Sequence, residues 1–165
     1  MRENQKDGRR KAKAASAWAM GALLTLQLAG TALPTALAQE MGNNPNPDGR
    51  GKDDCAVRAV AKALGTDWDG AYILLAAKGF QMKDMQNGNP VWGAVLRDHG
   101  FTRGAIPNTC PDCYTAEEFA AEHPEGIWVL GFGDHVATVQ DGMIFDSWDS
   151  SAEIPQYYWT REAQK

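Results

Sequence analysis

The chain has 165 residues, 44% of them hydrophobic and 22% charged, with 16 Lys and Arg against 21 Asp and Glu and a formal net charge of −5. That size and apolar content give one domain room for a real core and leave none for several. The acidic balance also removes the electrostatic reason to hold nucleic acid, because such binding works by displacing counterions with Lys and Arg.

At the N-terminus, Arg2, Lys6, Arg9, Arg10, Lys11 and Lys13 are followed by residues 14–38 without a single charge. A basic stretch, an apolar stretch and then Ala36-Leu37-Ala38 before Gln39 is the layout of a secretory signal peptide, residues 1–38, cleaved after Ala38. The uncharged run also exceeds the ~20 residues that span a bilayer, so an uncleaved membrane anchor through residues 14–38 is the alternative. Pro34 and the small residues at the cleavage point argue for removal. Either way the folded part is delivered outside the cytoplasm, secreted or membrane-anchored. Six of the Lys and Arg and two of the Asp and Glu precede residue 39, so the remaining part carries ten basic and 19 acidic side chains, a net charge of −9.

Residues 39–52 are expected to be a linker or extended arm, since Met41 to Lys52 are rich in Gly, Asn, Pro and Asp with almost no large apolar residue. The domain proper is expected over residues 53–165. Asp54 is a good N-cap, and Ala56, Val57, Val60, Ala63 and Leu64 recur at helical spacing up to Gly65. Thr66 or Asp67 can cap a second helix holding Tyr72, Ile73, Leu74 and Leu75 and closed by Gly79. A third opens at Asn89-Pro90, a cap followed by proline at the first helical position, and closes at Gly100. Thr115 with Glu118 forms a capping box for a short fourth helix ending near His123-Pro124.

Past Gly126 the period changes. Ile127-Trp128-Val129-Leu130, Val136-Ala137-Thr138-Val139 and Met143-Ile144-Phe145 read as strands, and Asp141-Gly142 between the last two is a strong hairpin signal. Residues 154–160, with Tyr157, Tyr158 and Trp159, are another strand candidate. Helices first and antiparallel strands after is an α+β order.

Three cysteines in an exported chain cannot all pair. Cys110 and Cys113 lie close together in Thr-Cys-Pro-Asp-Cys-Tyr, which leaves Cys55 as a reactive thiol, an intermolecular bridge or a buried inert side chain. The CxxC pair fits a structural disulfide, which an oxidising compartment favours. Half of a zinc site, completed by His123 with His99 or Cys55, and a redox pair are the alternatives; a thioredoxin-like βαβ setting is not what the element order offers. No cofactor is implied.

A cysteine nucleophile works as the thiolate, and a helix N-terminus favours that anion. With Asp54 as cap, Cys55 lies in the first turn. Asp53 and Asp54 disfavour the anion unless they turn away to cap or to pair with Arg58. If Asp141 and Gly142 are the two turn residues, Gln140 faces Met143, and counting back pairs Ala137 with Asp146 and His135 with Trp148. His135 and Asp146 then share a side of the hairpin as diagonal neighbours. A carboxylate there can fix the imidazole tautomer and leave the other nitrogen for a thiol. One residue more or less in the turn would send the two to opposite faces. Asp134 alternates to the other face, and Asp149 falls beyond the paired strand. Trp148 either shields the pair from water or belongs to the core. His99 and His123 read as helix C-terminal residues that complement the dipole.

The runs Asp54-Cys55-Ala56-Val57-Arg58-Ala59 and, from Asp134-His135-Val136 through Phe145-Asp146-Ser147-Trp148-Asp149, the C-terminal hairpin resemble small bacterial and phage-associated proteins of the papain-like cysteine peptidase superfamily. The resemblance covers most of residues 50–160. It implies a papain-like α+β fold whose Cys-bearing helix packs on a C-terminal antiparallel sheet, with Cys55 as nucleophile, His135 as base and Asp146 as orienting acid. Members usually place a Gln shortly before the Cys to help stabilise the oxyanion, whereas here no Gln stands between Gln39 and Cys55. The expected activity is hydrolysis of amide bonds in a peptide or in the peptide part of cell-wall material, through an acyl-enzyme. The alternatives are a non-catalytic binding module whose Trp92, Trp148, Tyr157, Tyr158 and Trp159 form a recognition surface, and a thiol-disulfide or metal-binding protein centred on Cys110 and Cys113.

Overall fold

The structure, a computed structural model, describes residues 39–41, 44–50 and 53–161. The predicted signal peptide, with the alternative anchor at residues 14–38, lies outside the described residues. Among the described residues no helix is long and apolar enough to cross a membrane.

Helix α1 (Cys55–Leu64) is built mostly from Ala and Val, and Ala56, Val57, Ala59, Val60, Ala61 and Ala63 are all buried. Small side chains let it lie close on the sheet. Gly65 ends it in the left-handed conformation, φ 66°, which glycine adopts without a Cβ penalty. Helix α2 (Trp68–Met82) opens with the Asp67 side chain accepting from the Gly70 N–H. It does not stop at Gly79 as expected but runs one more turn, to Lys83 at φ 59°. At Gly79 a Cβ would stand 2.8 Å from the Asp84 carbonyl, so this glycine serves a close return of the chain and not a helix end. Helix α3 (Asn89–Asp98) starts one residue earlier than expected: Gly88 is the N-cap, and Asn89 Oδ1 accepts instead from Trp92 Nε1 at 3.0 Å. Helix α4 (Ala116–Glu122) carries the expected reciprocal capping box between Thr115 and Glu118.

The strands β1 (Gln39–Met41), β2 (Thr102–Ala105), β3 (Ile127–Gly131), β4 (Val136–Gln140), β5 (Met143–Asp146) and β6 (Tyr157–Arg161) form one sheet in the order β1-β5-β4-β3-β6-β2. All neighbours are antiparallel except β1 and β5. The class is thus α+β. Two edge strands correct the sequence reading. Part of the stretch expected to be a linker is strand β1, and residues 44–50 fold through turns in which Asn44 and Asn46 side chains accept from the N–H groups of Asn46 and Asp48. Strand β2, Thr-Arg-Gly-Ala, lacks any apolar alternation; its pairing with β6 is carried by the backbone.

Alternation along β4 divides the core. Val136 packs with α1, α2 and α3 together with Val129, Tyr157 and Trp159, while Ala137, Val139, Leu130 and Ile144 pack under α4. Burial on both faces explains why β4 reads as a continuous apolar run.

Candidate active site

Cys55 is the first residue of α1, so its N–H is among the four that no carbonyl of the helix can accept. Asp54 occupies the N-cap position, but its side chain does not cap. Its carboxylate is paired with Arg58 in a buried ion pair and accepts from Trp68 Nε1 at 3.1 Å and Asn46 Nδ2 at 3.3 Å. The negative charge beside the sulfur is therefore neutralised by a guanidinium and drawn toward α2 and the 44–50 loop. Asp53 turns the chain into the helix with φ 61°.

The hairpin has the parity that the sequence requires. Gln140 pairs with Met143, and Asp141 and Gly142 both take positive φ, 51° and 78°, as a two-residue turn of this kind demands. Counting outward places His135 and Asp146 on one side at the open end of the β4–β5 pair. His135 Nε2–H donates to Asp146 Oδ2 at 2.6 Å, and the Ser147 N–H donates to Asp146 Oδ1 at 2.7 Å, so both oxygens of this buried carboxylate are held. Nδ1 is the ring nitrogen that Asp146 leaves open, and Cys55, at the start of α1, is near enough to bias the imidazole toward its charged form. Burial disfavours the charged ring, but hydrogen bonds from Asp146 and Cys55 and the negative charge of both outweigh it, and the His135 pKa rises from 6.5 to about 9. Phe132 stacks on the ring at 5.8 Å, and Trp148 lies 5.1 Å away on another side. Trp148 remains 45% exposed, so it shields the pair and does not belong to the core.

Thr138 sets the distance between the two halves. Its hydroxyl, fully buried, donates to the Ala59 carbonyl at 2.9 Å, one helical turn past Cys55 and three residues past His135. Sequence reasoning missed this tether, along with Asn46, Trp68, Phe132 and Ser147. A lone Thr in an apolar strand was its only visible sign. A cavity of about 780 Å³ opens beside the N-terminus of α1, lined by Asn46, Asp53, Asp54, Val57, Trp68 and Tyr72 among others; it borders the residues before Cys55 and not the imidazole.

The competing residues fall elsewhere. Asp134 is exposed, and Asp149 Oδ1 accepts from the Ser151 N–H and hydroxyl. His99 and His123 stand at the C-caps of α3 and α4, each with Nδ1 2.7 Å from the carbonyl four residues back. The zinc alternative for Cys110 and Cys113 is corrected: the two are joined in a disulfide, which removes both thiolates, and among the described residues no group of three metal-ligating side chains gathers. Of the aromatic side chains expected to form a recognition surface, Trp92, Tyr157 and Trp159 are buried, Trp92 stacking on Tyr157 and meeting Trp159 edge-on, while Trp148 is exposed and Tyr158 half-buried.

No protein-family model, curated protein or solved structure matches the chain.

Proposed function

We propose that this protein is an exported cysteine hydrolase of papain-like type, cleaving amide bonds in peptides or in the peptide part of cell-wall material. The observation that carries the reading is His135 held by Asp146 through Nε2, with Nδ1 left open and Cys55, at a helix start, acting on the same ring. The Cys55 sulfur anion attacks the amide carbon, and the carbonyl electron pair moves to oxygen. The Cys55 N–H is one donor for that oxyanion. As the oxyanion collapses, the C–N bond breaks, and the His135 imidazolium gives its Nδ1 proton to the leaving amine. Water then attacks the thioester, His135 takes its proton, and acid and thiol are released. An amine in place of water would make the same site a transpeptidase. The burial of Trp92, Tyr157 and Trp159 counts against a binding module built on an aromatic surface.

Alkylation by iodoacetamide across pH tests the reading. Cys55 is expected to react fast below neutral pH in the wild type and slowly in His135→Ala. Equal, slow reaction in both proteins would sink the proposal.

A further inference from the structure

At the opposite end of the sheet from the hairpin, α3, β2 and β6 surround a pocket of about 300 Å³, lined by Asn89, Gly93, Arg97, Arg103, Tyr157 and Trp159 among others. Trp159 is only 5% exposed, yet its Nε1–H has no hydrogen-bond acceptor. Indole N–H groups that are buried ordinarily find a partner. The ring edge bearing this one lies against Gly93: a Cβ there would stand 2.8 Å from Trp159 Cζ2 and 3.5 Å from Cε2, the carbon bonded to Nε1. Glycine at position 93 thus lets this ring edge lie close against α3.

The two arginines lie near aromatic rings. The Arg103 guanidinium lies 4.0 Å over Tyr157, and that of Arg97 lies 5.5 Å from the Trp159 ring. Stacking fixes a guanidinium without consuming its N–H donors. Among the described residues neither arginine is in a salt bridge, and the carboxylate of Asp98, next to Arg97 in sequence, is paired with Lys78 at 2.5 Å. Asn89 has its carbonyl oxygen occupied by Trp92 Nε1, which leaves its NH₂ to donate. In a domain of net charge −9, a pocket bordered by two arginines without a carboxylate partner is suited to negative charge.

We propose that this pocket binds a small oxyanion, a carboxylate or a phosphate, with Arg97 and Arg103 as forks and the buried Trp159 N–H as a further donor. Gly131 pairs with Val136 on one side and Tyr157 on the other, so Tyr157 lies two strand spacings, about 10 Å, from the residue after His135. The site is separate from the triad and does not depend on whether that triad hydrolyses amides.

Amide and indole N–H spectra of the ¹⁵N-labelled protein, titrated with inorganic phosphate or with acetate while chloride holds ionic strength constant, test the proposal. Trp159→Phe identifies its indole resonance by removing it. That resonance is expected to shift saturably with at least one of the two anions. Phosphate alone would mark a phosphoryl ligand, and acetate a carboxylate ligand. Arg97→Gln and Arg103→Gln, both at exposed positions, should each weaken the apparent affinity by about tenfold. The proposal is overturned if neither anion moves the indole resonance saturably, or if both arginine variants bind as tightly as the wild type.

Discussion

The proposed chemistry sets two opposed demands on His135: it must stay protonated although it is half-buried, and it must leave Nδ1 free. Asp146 meets both, since its Oδ2 accepts the hydrogen bond from Nε2–H and its charge favours imidazolium. Removing it in Asp146→Ala is expected to lower kcat/KM by ~10²–10⁴. The alkaline limb of the pH–rate profile should also move, from near 9 in the wild type toward the ordinary histidine value. A limb that stays in place while the rate drops would show that the carboxylate acts only on structure. Asp54 is a different case. Its buried charge depends on Arg58, so Arg58→Met should cost on the order of 3–5 kcal/mol in chemical denaturation, because it leaves a carboxylate inside without its counterion. Double replacement with Asp54→Asn should recover much of that loss. The meeting of His135 with Asp146 was legible because the hairpin count puts them on one side; the pairing of Asp54 with Arg58 was legible only as one of two options. Its contacts with Asn46 and Trp68 come from loop geometry that no local pattern encodes.

Elements bring these residues together with different degrees of readability. The β4–β5 hairpin could be counted residue by residue because Asp-Gly fixes a two-residue turn and a turn of that length fixes register. Helix starts were readable to within a residue, since caps and proline act locally, whereas the end of α2 was not. Gly79 looks like a stop from its own sequence, and only the returning chain at Asp84 explains its presence. Strands β1 and β2 escaped for a related reason: an edge strand pairs through backbone groups, and few side chains need to change to permit it. The docking of α1 on β4 rests on the Thr138 to Ala59 hydrogen bond, a contact between distant parts of the chain. Thr138→Val keeps shape but removes the donor, and Ala59 keeps its bond within the helix. The expected loss of stability is about 1 kcal/mol by urea midpoint. A larger loss of kcat/KM than of stability, with KM little changed, is expected if the bond sets the spacing of Cys55 and His135. Parallel, small losses in both would assign Thr138 to packing alone.

Across the whole molecule, folding and the proposed chemistry share one titration. His135 has its pKa raised from 6.5 to about 9 on folding, against the opposing pull of burial. The folded state therefore binds this proton more tightly than the unfolded chain does. For a group raised in this way, the extra stability is fully present below the unfolded value and is lost as pH climbs to the folded one. The loss should fall between about pH 6.5 and 9. Urea midpoints measured at intervals from pH 6 to 9.5 should decline in the wild type and decline less in His135→Ala. The difference between the two curves reports the imidazole together with the groups coupled to it. A difference that does not change with pH would mean that the ring gains no charge-dependent partners on folding, and the ion pair on which the hydrolase reading stands would be absent.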